Sequence, residues 1–146
     1  MLPIEKVDHV GIRISDKETS VKFYEKLGFE FLGDAGFEEG HPIFMQHASG
    51  VVLNLLGPAT ASKGHNILMD EASKHPGITH VAYKVKSIAE AKAFLSSKDI
   101  PLTGEFDHKG FHAIFIRDPD RNVIELDAYV GEEPQTRSGE DQEAHP

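Results

Sequence analysis

The sequence predicts an α+β fold in which two βαβββ modules follow one another and form a cupped mixed sheet, with the helices on the outside. The first observation is an internal repeat, because one ungapped offset aligns the two halves of the chain. The second is that each half has one segment of helical periodicity among segments of alternating polarity. The matched residues are His9 with His80, Phe23 with Phe94, Gly33 with Gly104, His41 with His112, Phe44 with Phe115, and Asn54 with Glu125.

The first module is predicted over residues 1–56 and begins with an alternating strand, Val7–Ile14. Ser15 and Asp16 then supply a helix N-cap, and apolar residues at helical spacing predict a helix over Thr19–Leu27. Gly28 stands where a helix C-cap glycine is expected. Three more strands are predicted, over Phe29–Gly33, Ile43–His47 and Val51–Leu56.

The second module is predicted over residues 78–130 with the same order of elements. Its first strand is Ile78–Val85 and its helix is Ile88–Lys98. Asp118–Asn122 is a strong turn signal before the last strand. The remaining strands are predicted over Leu102–Phe106, Phe111–Arg117 and Val123–Tyr129.

Residues 57–77 form the connector, which is rich in glycine, alanine, serine and lysine around the apolar island Ile67–Met69. A structureless loop of this length is uncommon, so a short helix that packs on the sheet is the favoured interpretation, and a lid over a pocket is the alternative. Residues 131–146 contain no large apolar side chain and several acids, which predicts a disordered acidic tail.

Composition narrows the function classes. The net charge is −9 and no basic stripe is visible, which argues against binding to nucleic acid or to an anionic membrane surface. No apolar run approaches the length of a membrane span, and no secretory signal is visible at the N-terminus. Cysteine is absent, which fits a reducing, cytoplasmic location. A small-molecule substrate is therefore the expected partner.

Strand phase predicts a set of metal ligands. The apolar residues of the first strand should face the helix, so His9, Gly11 and Arg13 should share the opposite face. The equivalent residues of the second module are His80, Ala82 and Lys84.

Glu125 completes this set because it alternates with two apolar neighbours in the last strand, and a carboxylate in such a place needs a partner. Two imidazoles and one carboxylate around an open face suit divalent iron, manganese, nickel, cobalt or zinc. The sequence therefore predicts a metal site at His9, His80 and Glu125. The alternative for each histidine is an ordinary hydrogen-bonded side chain without a ligand role.

The segments DHVGIRISD, ITHVAYKV and FIRDPDRNVIELDAY resemble the vicinal oxygen chelate superfamily over about residues 4–130. This superfamily includes glyoxalase I, methylmalonyl-CoA epimerase, extradiol dioxygenases, and the fosfomycin and bleomycin resistance proteins. The resemblance implies the ligands His9, His80 and Glu125, with Asn54 at the fourth position. Glyoxalase I commonly has Glu at that position and the epimerases have Gln. Asn54 is shorter than either and neutral, so the usual base of the glyoxalase reaction is missing.

Four further residues are candidates for substrate binding. Arg13 and Lys84 share the predicted ligand face and could hold a carboxylate or phosphate of the substrate, or serve only as rim charges. Phe44 and Phe115 occupy matched positions and are expected to line the pocket, with a purely structural role in the core as the alternative. No catalytic base is assigned.

The leading hypothesis is a metal-dependent, glyoxalase-like lyase or isomerase that works through an enolate-like intermediate on a small vicinal-oxygen substrate. One alternative is an extradiol-type ring-cleaving dioxygenase. The other is a metal-free ligand-binding or drug-binding protein of the bleomycin-resistance kind. A homodimer is expected because the sheet edges need covering, with each metal site held within one chain rather than shared between chains.

Overall fold

The computed structural model describes residues 1–61 and 64–131, and the chain divides into two compact units, Met1–His65 and Asn66–Pro146. The elements of the first unit are β1 (Val10–Arg13), α1 (Lys17–Lys26), β2 (Phe29–Asp34), a 3-10 turn (Phe37–Glu39), β3 (Ile43–His47) and β4 (Val52–Leu56). Those of the second unit are β5 (His80–Lys84), α2 (Ile88–Ser97), β6 (Gly104–His108), β7 (Phe111–Arg117) and β8 (Val123–Tyr129).

The two units have the same sheet topology, which confirms the α+β fold class with tandem βαβββ modules. The strand order is β1-β4-β3-β2 in the first sheet and β5-β8-β7-β6 in the second. In each sheet the first strand runs parallel to the last, and the remaining neighbours are antiparallel. The predicted acidic tail falls almost wholly on residues 132–146, which lie outside the described residues.

In the first unit the helix covers one face of the sheet. The Lys17 ammonium at the start of α1 lies 5.8 Å from the centre of the Phe31 ring, and Phe31 pairs in register with Met45, which is fully buried. Met45 pairs in turn with Leu53, and Leu53 pairs with Val10. Because side chains alternate along a strand, the other face carries the neighbours of these residues, and it is called here the helix-free face.

In the second unit α2 likewise covers a single face. Lys92 on α2 donates to Glu105 Oε2 at 2.8 Å, and Glu105 pairs in register with the fully buried Ile114. The helix-free face of this sheet carries a separate apolar cluster formed by Phe111, Ala113, Phe115 and Val123. The predicted phase of both modules, with apolar residues under the helix and the candidate ligands opposite, is therefore confirmed.

Both helices begin at the N-caps that the sequence provides. Asp16 Oδ2 accepts from the Thr19 backbone N–H at 2.9 Å, and the Ser87 hydroxyl oxygen accepts from the Glu90 N–H at 3.2 Å. Gly28 follows α1 with φ at 99°, a conformation that strains any residue with a Cβ atom, so the predicted C-cap glycine is confirmed.

The predicted helix in the connector is wrong for the residues that the structure describes there, 57–61 and 64–77. The chain forms a capped turn instead. Asn66 Oδ1 accepts from the backbone N–H groups of Leu68 and Met69 at 3.0 and 3.1 Å, and the Asp70 N–H donates to the Asn66 carbonyl at 2.8 Å. The apolar island therefore lies in one tight turn, because an asparagine side chain can satisfy the same N–H groups as a helix cap.

Within the described residues, no helix is both long enough and apolar enough to cross a membrane.

Candidate metal centre

His80 and Glu125 form one half of the predicted ligand set. His80 opens β5 and Glu125 lies within β8, and these two strands are parallel neighbours in which Ala82 pairs with Glu125. Because His80 and Ala82 are two residues apart, all three share the helix-free face. His80 Nε2 lies 3.2 Å from Glu125 Oε1, and the two side chains are 36% and 6% exposed. The sheet therefore brings an imidazole that solvent can reach against a buried carboxylate.

The contact with Glu125 favours the protonated form of His80. The hydrogen bond from the imidazole to the Glu125 carboxylate raises the pKa of His80, and the charge attraction adds to it, although burial of the ring acts in the opposite direction. Two donor atoms bound at about 2.1 Å to one cation and at right angles are about 3.0 Å apart. The observed pair has nearly that separation, so these two side chains fit adjacent positions on a divalent ion.

A side-chain oxygen holds the other ring nitrogen of His80. Thr79 Oγ1 lies 2.8 Å from His80 Nδ1, and the hydroxyl group can donate or accept in this bond. When Nε2 turns its lone pair towards a cation, Nδ1 carries the proton and the Thr79 oxygen accepts it. Such outer partners commonly fix the orientation of a ligating histidine.

In the first unit, His9 and Asn54 occupy the equivalent places. Gly11 pairs with Asn54 on β4, as Ala82 pairs with Glu125 on β8. His9 lies directly before β1, and its Nδ1 is 2.7 Å from Asp8 Oδ2. This hydrogen bond lowers the pKa of the Asp8 carboxyl group and leaves Nε2 of His9 as the nitrogen available to a ligand.

The predicted ligand set draws on both units. Within either unit taken alone, the described residues contain no group of three or more His, Asp or Glu side chains arranged for a metal ion. The His80–Glu125 pair supplies two donors of the right chemistry, and His9 supplies one imidazole. That these three residues bind one ion, with Asn54 at the fourth position, remains a prediction.

The candidate substrate residues lie on the same faces as the candidate ligands. Lys84 lies two residues beyond Ala82, and its ammonium group is 6.0 Å from the centre of the Tyr129 ring. Phe115 pairs in register with Glu125 and is fully buried.

In the first unit Phe44 pairs with Asn54, and Arg13 ends β1 two residues beyond Gly11. All four predicted substrate residues therefore lie on helix-free faces, while their role in binding remains a prediction.

Two groups on the helix-free face of the second unit were not predicted from the sequence. Asp127 is 4% exposed and lies two residues after Glu125 in β8, so alternation could have identified it. Met69 packs against the apolar cluster of this face. Its only signal in the sequence is the apolar island of the connector, which does not reveal what the island contacts.

His112 lies away from this site. Its Nε2 is 2.6 Å from Glu105 Oε2, which also accepts from Lys92, on the face that α2 covers. This network is separate from the candidate ligands, because it lies on the opposite face of the sheet.

Residues 6–126 match the model of the Glyoxalase/Bleomycin resistance protein/Dioxygenase superfamily. The chain belongs to this superfamily. It is 27% identical over 140 residues to a lactoylglutathione lyase of Schizosaccharomyces pombe, an alignment that covers 83% of this chain and 46% of that protein. The chain thus spans about half the length of this curated relative.

Solved structures of the superfamily share the fold. A glyoxalase family protein from Enterococcus faecalis superposes with a TM-score of 0.70 and 27% identity, over 84% of this chain and 97% of the other. A lactoylglutathione lyase from Agrobacterium tumefaciens superposes with a TM-score of 0.63 and 20% identity, over 86% and 95% of the two chains. This superfamily member therefore shares the fold of these solved glyoxalase-like proteins.

Proposed function

We propose that this superfamily member is a metal-dependent lyase or isomerase that acts on a small substrate with two neighbouring oxygen atoms. His9, His80 and Glu125 would hold a divalent cation, with Asn54 at the fourth position. The observation that carries the proposal is the 3.2 Å approach of His80 Nε2 to Glu125 Oε1 on the helix-free face. The similarity to lactoylglutathione lyase supports the reaction class.

A cation bound there supplies Lewis-acid stabilisation of the negative charge that develops on the substrate oxygens. The side chains of the chain itself have other tasks. The buried Phe115 ring, beside Glu125 in register, limits the access of water to the carboxylate. Lys84 and Arg13 would orient an anionic group of the substrate. The amide of Asn54 does not accept a proton near neutral pH, so the proton must move to a different group.

Turnover of the methylglyoxal–glutathione hemithioacetal tests the proposal. The protein would be assayed after loading with nickel, cobalt or zinc, beside His80→Ala and beside His112→Ala as the matched control on the other face. We expect His80→Ala to lose at least about 100-fold in kcat/KM, because a missing ligand should cost more than a missing outer partner. We expect His112→Ala to retain activity. Absence of turnover with every metal would exclude this substrate.

An iron-dependent ring-cleaving dioxygenase is the second candidate, and the chemistry of Asn54 favours it. Two histidines and one carboxylate, with a neutral residue at the fourth place, match the facial triad of non-haem iron oxygenases. Oxygen uptake with catechol after loading with iron(II) distinguishes the two reactions. A chain that retains no metal but binds bleomycin would instead support a sequestering protein.

A homodimer and a cytoplasmic location are parts of the same proposal. Each four-stranded sheet ends in two edge strands, and an edge is commonly covered by another chain. Light scattering coupled to size-exclusion chromatography gives the assembly directly, with a mass near twice 16.1 kDa expected for the dimer.

A further inference from the structure

Asp70 lies between two guanidinium groups of its own unit. Arg121 donates through Nε to Oδ2 at 2.7 Å and through Nη2 to Oδ1 at 3.2 Å. Arg117 donates through Nη1 to Oδ2 at 3.3 Å and through Nη2 to Oδ1 at 3.2 Å. These charge-assisted bonds lower the pKa of Asp70 and raise that of Arg121, so the carboxylate stays ionised. Asp70 is 18% exposed and Arg117 only 10%, which limits solvent screening of this pair.

The same contacts tie a short segment of the connector to the β7–β8 turn. This segment, residues 66–70, is called here the strap. Asn66 Nδ2 donates to the Arg121 carbonyl at 3.0 Å, and the Asn66 N–H donates to Asp70 Oδ2 at 3.1 Å. Arg117 Nη1 donates to the Arg121 carbonyl at 2.9 Å. The strap is therefore held at both of its ends by the same turn.

Arg121 adopts a conformation that suits glycine better. Its φ is 67°, in the left-handed region where a side chain adds strain. A glycine at this position would relieve the strain but would lose both bonds to Asp70. Arg121 is therefore strained in its backbone, while its side chain binds the strap through Asp70.

The strap carries Met69 onto the helix-free face of the second unit. Met69 packs against the cluster of Phe111, Ala113, Phe115 and Val123. Val123 pairs in register with His80 on one side and with Arg117 on the other. Arg117, which binds Asp70 of the strap, is therefore two strands from the candidate ligand His80, about 10 Å across the sheet.

We propose that Met69 is a specificity-determining residue that covers the apolar part of this face and limits the substrate substituent it accepts, and that Asp70, Arg117 and Arg121 position it. The ligand class is a small molecule with an apolar, preferably aromatic, substituent, because the covered surface is formed mainly by phenylalanine rings. The inference rests on the proposed function only in taking this face as the substrate face.

The test uses two readouts on the full chain that do not depend on metal. The first is hydrogen exchange at the backbone amides of Leu68, Met69 and Asp70. The second is affinity for N-phenyl-1-naphthylamine, a neutral apolar fluorophore that an unpaired arginine does not attract by charge. Metal binding is measured separately, so a failure of the proposed metal site and a failure of this inference are distinguishable.

We expect Asp70→Asn and Arg121→Gly to speed exchange at the strap amides about 10- to 100-fold, as loss of charge-assisted bonds implies. Both variants should also bind the fluorophore several-fold more tightly. Met69→Ala should increase fluorophore affinity while leaving strap exchange unchanged, because the turn itself is intact. Glu105→Gln removes a paired carboxylate on the opposite face and should change neither readout.

Arg121→Gly keeps the test decisive if Asp70→Asn folds poorly, because it also relieves the strained φ. Protection of the Ile114 and Ile116 amides in β7 reports whether each variant retains its core. Strap amides that exchange at the wild-type rate in both Asp70→Asn and Arg121→Gly would overturn the positioning role. Unchanged fluorophore affinity in Met69→Ala, or no binding to that variant, would overturn the specificity role.

Discussion

Asn54 and Glu125 occupy the same place in the two sheets. Gly11 and Phe44 flank Asn54 in register, as Ala82 and Phe115 flank Glu125. The duplication therefore carries one carboxylate and one amide at a position where either could face a cation. This asymmetry predicts that the fourth ligand is the weak one.

Replacing the amide tests that asymmetry. We expect Asn54→Glu to tighten binding of zinc or cobalt about tenfold, because the number of ligand charges tunes affinity for divalent ions. Isothermal titration calorimetry measures the change. Asn54→Gln lengthens the side chain without adding charge and serves as the control. Equal affinities for all three proteins would show that position 54 does not contact the ion.

Only glycine fits at position 57, because the Phe37 ring fills the space beside it. Phe37 is buried in the 3-10 turn, and a Cβ atom on Gly57 would overlap its ring. We expect Gly57→Ala to destabilise the protein by about 1–3 kcal/mol, the usual cost of overpacking. Urea unfolding gives the free energy. The double variant Gly57→Ala/Phe37→Leu should recover part of the loss, and strictly additive effects of the two substitutions would contradict the contact.

The hydrogen bonds to the Asp34 carboxylate predict that the free energy of unfolding falls in acid. Its Oδ2 accepts from Lys17 and its Oδ1 accepts from the Gly36 and Phe37 N–H groups. The hydrogen bond from Lys17, followed by those two backbone bonds, lowers the pKa of Asp34 from 3.8 to about 2. Since the folded-state pKa is depressed, the stabilisation is present above the ordinary value and is lost as the pH falls through the folded one.

The free energy of unfolding of wild type and Asp34→Asn, measured from pH 2 to pH 6, checks this prediction. The difference between the two proteins should be largest above about pH 5 and should shrink steadily as the pH falls towards 2. A difference that does not change with pH would contradict the assignment.

Lys84 provides a prediction for substrate binding. If it orients an anionic group of the substrate, Lys84→Gln should raise KM about 10-fold or more with a smaller effect on kcat, since a hydrogen bond between charged groups contributes to ground-state binding. Lys92→Gln, on the face that α2 covers, is the matched control. Steady-state kinetics of the metal-loaded enzyme gives both constants. A change confined to kcat would assign Lys84 a different role.

The bounds of β7 and β8 follow from local pattern alone. Both are apolar segments, and the turn between them closes on itself. Asp118 Oδ1 accepts from the N–H groups of Asp120 and Asn122, each at 2.9 Å. A turn that is satisfied by its own side chains can be recognised without knowledge of the rest of the fold.

The bounds of the first strand of each module depend on pairing partners instead. Val7 alternates with its neighbours but is 76% exposed, and Ile78 is 89% exposed. Pairing with β4 begins only at Val10, and pairing with β8 begins only at His80. Alternation therefore predicted longer strands than the ladders support, because a strand forms only where a neighbour accepts its hydrogen bonds.

The strap depends on contacts that no local window contains. Asp70 and Arg121 are far apart in sequence, and neither has a pattern that indicates the other. His80 and Glu125 are also far apart in sequence, but the internal repeat matched His80 with His9 and Glu125 with Asn54. Repetition thus revealed the candidate site, whereas a contact unique to one module left no such signal.

The metal content of the full chain tests the central claim most directly. Wild type, His80→Ala and Glu125→Gln would be equilibrated with zinc or cobalt and separated from free metal by gel filtration. Elemental mass spectrometry then gives the bound metal per chain, with His112→Ala as the control. We predict about one ion per chain for wild type and for His112→Ala, and little metal in the other two. Wild type without metal, or His80→Ala with as much metal as wild type, would contradict the account.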